Sequence, residues 1–441
     1  MRPKYHLTAP FGLINDPNGF IKYKNEYYLF FQWNPDGLLH ENKHWGLKKT
    51  KDFINFSDVE IALEPDAWFD KDGCYSGTSR TINDKLYLIY TGNVKSNHER
   101  QSYQCVAKLE NDAFVKLGPI LKEVPQGYTD HFRDPFYFER DNQSYFMIGA
   151  QNKDLEGEAL IYNWDVFDQP QLLGPIKFDQ KLDAYMWECP NLWQAQKDVL
   201  IFSPQGIPNE KYQYQNLYHS VAAVGKLNMH TLTFKTEHLS ELDNGFDFYA
   251  PQIYEKENLL IGWMGLPEKE MMHPSQKDNW MHTLTMVRTL SLNEDNELIQ
   301  KPHPFYKKLR MKKINGILKE KFFFNYGEIK LDFKINRNTE INLKLFASDN
   351  YQTTLTFKND ILTLDRTQSE ALKGIRYLKL KPKESLKLQI FMDKSTLEIF
   401  VNDGEKVMSS RIYNTDSDVF FELTSIENAK LQRFDFYEFE R

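Results

Sequence analysis

The chain has 441 residues, of which 41% are hydrophobic, 27% charged and 15% aromatic. That composition excludes a disordered or collagen-like chain and leaves room for several domains. The 55 Lys and Arg against 62 Asp and Glu give a net charge of −7, which argues against nucleic acid as a partner, since phosphate binding needs a basic face. No run approaches the roughly 18 apolar residues of a membrane-spanning helix, so no membrane partner is expected. The opening MRPKYHLTAPFG lacks the apolar core of a signal peptide, and Cys74, Cys105 and Cys189 show no CxxC spacing. A cytoplasmic protein without disulfides is the expectation.

Five segments repeat one shape along the first 300 or so residues: a polar motif, an extended run, a turn, then an aromatic-aliphatic strand. They read DPNGFIKYKNEYYLFFQWNP, SGTSRTINDKLYLIYTGN, DPFYFERDNQSYFMIGAQN, CPNLWQAQKDVLIFSPQG and APQIYEKENLLIGWMGLP. Their second residues, Pro17, Gly77, Pro135, Pro190 and Pro251, are spaced by 60, 58, 55 and 61 residues. The turns KNE, NDK, RDNQ, QKD and EKEN carry the residues of hairpin connections, and the flanking Tyr, Phe, Ile and Leu suit pleated strands. Each unit has room for four strands, which predicts a five-bladed β-propeller over residues 1–306. Composition then changes. All eight Trp lie at or before Trp280, and residues 304–441 contain no Trp, Cys or His. KPHPFYKKLR (301–310) reads as a linker. GEIKLDFKI, EINLKLFAS, LKLQIFMD and STLEIFVND then alternate as half-buried strands do, predicting an antiparallel C-terminal β-sandwich over residues 313–441. The fold class expected is all-β.

Equivalent positions in propeller blades converge on one end of the central channel. The residues just before the five markers are Asn15-Asp16, Tyr75-Ser76, Arg133-Asp134, Glu188-Cys189 and Asp247 to Ala250. Each acid alone has a plain structural reading, as a turn cap, an ion pair or a paired buried carboxylate. Four repeats bringing a carboxylate to one mouth do not, because crowded like charges are costly without chemistry to perform. A carboxylate pair suits glycoside hydrolysis, in which one acid protonates the leaving oxygen and the other attacks the anomeric carbon or activates water. Glu188, between Trp187 and Cys189, is expected in apolar surroundings that raise its pKa and make it the proton donor. Asp16, among Asn15, Asn18 and turn amides, stays ionised as nucleophile, and Asp134 beside Arg133 orients the ring and stabilises positive charge. Trp33, Trp45, Trp187 and Trp263 offer flat faces for a sugar, or fill the core. No HExxH or paired His–acid spacing appears, so no metal and no cofactor is expected.

INDPNG (14–19), FFQWNP (30–35), HWG (44–46), YSGTS (75–79), FRDP (132–135), MWECPNL (186–192) and FDFYAPQ (246–252) resemble the ordered motif set of glycoside hydrolase family 32, whose members hydrolyse sucrose, its 6-phosphate or fructans. The resemblance covers essentially the whole chain. It implies a retaining β-fructofuranosidase that acts through a fructosyl-enzyme on a small fructoside. By motif it implies Asp16 as nucleophile, Glu188 as acid/base and Asp134 as transition-state stabiliser, with Asn15, Gln32, Trp45, Tyr75, Ser76, Arg133, Asp247 and Tyr249 as substrate contacts. LLHENKHWG (38–46) resembles the His-containing version found in members that take phosphorylated sucrose, which adds His40 to the binding set. A glucose 6-phosphate leaving group would need cations at the rim, drawn from Lys43, His40, His44, Lys48 and Arg100. Two departures stand out: Leu13-Ile14 where many relatives have Trp-Met, and Leu47-Lys48-Lys49-Thr50 after HWG.

Rival readings are an exo-acting fructan hydrolase of the same family, an inverting arabinanase-like enzyme on the same kind of propeller, and a non-catalytic sugar-binding propeller.

Overall fold

The computed structural model describes residues 1–439 apart from 97–98, 166, 268–272, 318 and 324–325. Among the described residues strands dominate, and helix is confined to short 3-10 turns. Residues 12–302 form five successive antiparallel sheets, each with four principal strands. Their inner strands are Gly12–Tyr23, Cys74–Ile82, Tyr128–Arg140, Met186–Gln194 and Tyr249–Tyr254. Each inner strand packs on the next, and the fifth packs on the first, so the sheets close into a propeller. Trp280–Met281, arriving from the fifth blade, pairs in parallel with Gly12 and Leu13 and ties the ring shut.

Every inner strand is broken at the same place. The pairing register slips between Ile14 and Pro17, Tyr75 and Gly77, Arg133 and Phe136, Glu188 and Asn191, and Tyr249 and Gln252. These are β-bulges, which bend a strand and re-aim its side chains. Asp134, Cys189 and Ala250 sit in them with φ of 68°, 47° and 46°. Pro17, Pro135, Pro190 and Pro251 fit there because a bulge needs no ladder N–H from them. Blade II carries Gly77 instead, where a Cβ would lie 2.0 Å from the Ile89 carbonyl oxygen. The sequence marker of the repeat is therefore the chemistry of a bulge, and the bulge presents the acids to the channel.

The C-terminal region is a sandwich of two six-stranded sheets. One contains Arg310–Asn315, Tyr326–Lys334, Ser385–Asp393, Thr396–Val401, Lys406–Arg411 and Lys430–Phe439, and the other contains Lys321–Phe323, Glu340–Ala347, Thr353–Lys358, Ile361–Asp365, Ile375–Lys379 and Phe420–Glu427. Alternation sends Ile329, Leu331, Phe333, Leu386, Leu388 and Ile390 inward to one apolar core.

Propeller and sandwich meet through buried charge. Arg288 of blade V is fully buried and donates from Nη2 to Asp243 Oδ2 at 3.0 Å, Glu398 Oε2 at 2.8 Å and Ser409 Oγ at 2.6 Å. Gly245 abuts Ser409 so closely that a Cβ would fall 2.0 Å from its carbonyl oxygen. The N-terminal residues also lie on the sandwich: the Lys4 and Tyr5 amides donate to the Asp393 carboxylate at 2.8 and 3.0 Å, and the His6 ring bridges Asp393 and Glu398 at 2.9 and 3.1 Å. Removing one partner of such a network strands the others. Arg288→Met is expected to cost about 3–5 kcal/mol, read as a lower urea midpoint. A change within the roughly 0.5 kcal/mol of an ordinary surface substitution would mean that the interface does not depend on this ion cluster.

Candidate active site

Asp16 lies in the blade I bulge. Ser76 Oγ donates to its Oδ2 at 2.6 Å and Asn15 Nδ2 to its Oδ1 at 3.0 Å. Burial pushes the Asp16 carboxyl pKa up and the nearby Glu188 charge adds to this, while the Ser76 and Asn15 hydrogen bonds pull the other way. Asp134, in the blade III bulge, donates its backbone N–H to Thr91 Oγ1 at 3.1 Å and accepts the Cys189 N–H on Oδ2 at 3.1 Å. Burial drives its carboxyl well above the usual carboxylate range. Arg133, with Nε 4.0 Å away, opposes that, whereas the charges of Glu188 and Asp16 reinforce it.

Glu188 reaches the same space from blade IV. Arg133 donates to its Oε1 from Nε at 3.0 Å and Nη2 at 2.6 Å, and Gln205 Nε2 and the Tyr249 hydroxyl donate to its Oε2 at 2.8 and 2.6 Å. The Cys189 sulfur lies 3.9 Å from Asp16 Oδ2 and 3.7 Å from Asp134 Oδ2, so the residue after Glu188 touches both other acids. Three carboxylates, from blades I, III and IV, thus share one mouth. The apolar setting expected around Glu188 is not what the strand provides. Trp187 points to the opposite face, where its ring stacks on Phe202 at 4.0 Å.

The other expected contacts divide. Asn15, Ser76, Arg133 and Tyr249 each hydrogen-bond one of the acids. Tyr75 is half-buried, and the Asn15 side-chain oxygen accepts from the buried Lys43 ammonium. Burial lowers the Lys43 pKa to about 7 against the pull of Asp16. His40 stands on this side too, with Nδ1 3.2 Å from Lys43 Nζ and its ring 5.5 Å from that of Trp263. Gln32 is buried and donates to the Cys74 carbonyl at 2.8 Å, beneath the blade II bulge.

Two expectations are corrected. Trp45 is fully buried, donates its indole N–H to the Tyr75 carbonyl at 3.0 Å and packs on Phe30 and Tyr90, so it supports Tyr75 from below and offers no sugar a face. Trp33 and Trp187 are likewise core residues. Asp247 turns away from the mouth into the interface. Its Oδ2 accepts from Arg366 Nη1 and the Arg411 N–H, both at 2.8 Å, because the sandwich supplies these donors and the channel does not. Thr91 and Gln205, which hold Asp134 and Glu188, carry no motif signal, since each lies on the second strand of its blade.

Three acids on bulged inner strands of one propeller, two of them paired with cationic or hydroxyl donors, define a glycoside hydrolase. The model of the N-terminal domain of glycosyl hydrolases family 32 matches residues 6–302, and that of the family's C-terminal domain matches 306–438. The chain belongs to glycoside hydrolase family 32. It is 38% identical over 434 residues to a sucrose-6-phosphate hydrolase of Bacillus subtilis (strain 168), covering 93% of this chain and 89% of that one. The solved sucrose-6-phosphate hydrolase of Lactobacillus gasseri superposes with a TM-score of 0.91 at 30% identity, over 100% of this chain and 93% of the other. A point variant of the Bombyx mori β-fructofuranosidase in complex with sucrose superposes with a TM-score of 0.87 at 28% identity, over 100% and 94%.

Proposed function

We propose that this enzyme hydrolyses the terminal β-D-fructofuranosyl bond of sucrose and sucrose 6-phosphate with retention of configuration. The observation that carries the reading is the convergence of Asp16 and Asp134 on the sulfur of Cys189, the residue next to Glu188, with only Glu188 held by both an arginine and a tyrosine hydroxyl. Asp16 attacks the anomeric carbon. Glu188 protonates the departing glycosidic oxygen and then takes a proton from water. Asp134 faces the ring and stabilises the charge that develops on it. The catalytic unit is residues 1–306, and the sandwich of residues 313–441 braces it through Arg288, Arg366 and Arg411. Three free cysteines favour a reducing, cytoplasmic setting. Hydrolysis in the presence of methanol tests the stereochemistry: methyl β-D-fructofuranoside is the expected transfer product by NMR, and the α-anomer would overturn retention. The kcat/KM series for sucrose, its 6-phosphate, 1-kestose and inulin tests the substrate, with inulin expected last. An inulin value above sucrose would replace this reading with that of a fructan hydrolase.

A further inference from the structure

A retaining hydrolase holds its nucleophile and its acid/base on opposite sides of the bond that breaks, so the leaving group departs past the acid/base. The side chains around Glu188 therefore line the leaving-group side, and those around Asp16 line the fructosyl side. Of the five cations the sequence offers for a phosphate, Lys43 and His40 stand with Asn15 on the Asp16 side. His44 is buried, with Nδ1 2.8 Å from the Asn42 carbonyl oxygen, and Lys48 is half-buried within the field of Asp58 and Arg2. Arg100 alone remains, on the strand of blade II that packs against the inner strand of blade III, from which Arg133 reaches Glu188.

Arg100 is placed there by the third strand of blade II, Glu99–Glu110. Residues 100, 102 and 104 share one face of that strand. Gln104 donates to the Phe132 carbonyl at 3.4 Å and Ser102 to the Asp130 carbonyl at 3.2 Å, both on the inner strand of blade III. Arg100 continues this row one step nearer the mouth, with its guanidinium 5.7 Å from the Tyr75 ring centroid. On that inner strand of blade III stands His131, close enough for the Arg100 charge to act on it. Its Nδ1 lies 3.0 Å from Arg133 Nη1, and because an arginine can only donate, Nδ1 accepts and the ring proton belongs on Nε2. His131 is half-buried. Burial and the charges of Arg133 and Arg100 lower its pKa, while Glu188 and Asp130 act the other way. Arg133 is committed to Glu188. Among the described residues, no carboxylate forms an ion pair with Arg100. The Arg100 guanidinium and the His131 N–H are thus left as two donors that a single anion could bridge.

We propose that Arg100 and His131 form the subsite for a phosphate ester on the departing sugar, the 6-phosphate of the glucosyl unit in sucrose 6-phosphate. The inference rests on the substrate reading above and adds to it where the phosphate sits. The planar fork of Arg100 suits two phosphate oxygens at once, and His131 Nε2–H supplies a further donor. Unphosphorylated sucrose makes neither contact, so the pair governs choice of substrate and leaves the chemistry to the three acids.

The test is steady-state kinetics of the full chain with sucrose and sucrose 6-phosphate, for wild type, Arg100→Gln, Arg100→Lys, His131→Gln and Lys43→Met. Wild type is expected to prefer the phosphorylated substrate. Arg100→Gln should lower kcat/KM for sucrose 6-phosphate by roughly tenfold to a hundredfold, the worth of a charge-assisted pair. Sucrose turnover should change by less than about threefold, which also shows that the variant is folded. Arg100→Lys should keep part of the preference. As an inhibitor, glucose 6-phosphate should bind wild type more tightly than glucose does, and Arg100→Gln should lose that difference. If wild type shows no preference, the phosphorylated-substrate reading fails and the subsite with it. If wild type prefers sucrose 6-phosphate and both Arg100→Gln and His131→Gln keep the preference, the substrate reading stands and this subsite is wrong. Loss of the preference in Lys43→Met alone would then move the phosphate to the Asp16 side. Equal losses on both substrates in Arg100→Gln would make Arg100 a support for Tyr75 and overturn the proposal.

Discussion

Asp16→Asn is expected to abolish turnover while leaving the protein at least as stable as wild type. The amide cannot attack the anomeric carbon, and losing a nucleophile that works as a unit with an acid/base lowers kcat by roughly 10,000-fold or more. The stability sign follows from the environment. Burial raises the folded-state pKa of Asp16, so its favourable contribution is present at acid pH and lost as pH rises through that raised value. An amide carries no such titration. The variant should match or exceed wild type in thermal midpoint at pH 7, and its advantage should shrink toward acid pH. Ser76 and Asn15 remain as hydrogen-bonding partners, so the bulge has no reason to move. Activity above a few percent, in a preparation free of wild-type enzyme, would remove Asp16 from the nucleophile's role.

The repeat was legible because its marker is local chemistry. A bulge needs a residue that tolerates the lost ladder bond, and four prolines and one glycine stand at that position. The acids were legible for the same reason, since they sit within two residues of the bulge. The surroundings of those acids were less so. Neighbours along a strand point to opposite faces, so Trp187 says nothing about the polarity around Glu188, whose partners Arg133, Gln205 and Tyr249 come from positions 55, 17 and 61 residues away. Trp45 looks like a sugar platform in sequence, yet its strand is buried on both faces at this point, and the ring packs against Phe30 and Tyr90. Asp247 shares the bulge neighbourhood of blade V, but two donors from the sandwich, more than 100 residues later, capture its carboxylate. The docking of Lys4, Tyr5 and His6 on Asp393 and Glu398 is of the same kind: no local periodicity records a contact between the N-terminus and strands of the sandwich.

Glu188→Gln is expected to separate the two half-reactions. Its Oε1 faces two Arg133 donors, and its Oε2 faces the Gln205 amide and the Tyr249 hydroxyl. A glutamine placed with its oxygen toward Arg133 keeps the first pair. Its amide N–H then meets a hydroxyl that can turn to accept and an amide that can flip, so the pocket survives without the proton. Loss of general-acid help should slow fructosyl-enzyme formation from sucrose by roughly 100-fold to 10,000-fold. A fructoside with an activated leaving group needs no proton, and its first step should be nearly restored. Water must still be deprotonated in the second step, so a burst of leaving group should precede slow turnover. Azide needs no base, and it should restore the second step and yield β-fructosyl azide, the stereochemistry that a double displacement at Asp16 requires. Arg133 cannot substitute as the base, because a guanidinium stays protonated and only donates. If sucrose and the activated fructoside lose equal rate and azide changes nothing, Glu188 serves only to bind. The proton would then have to come from Asp134, whose burial beside two other acids already holds it above the usual carboxylate range.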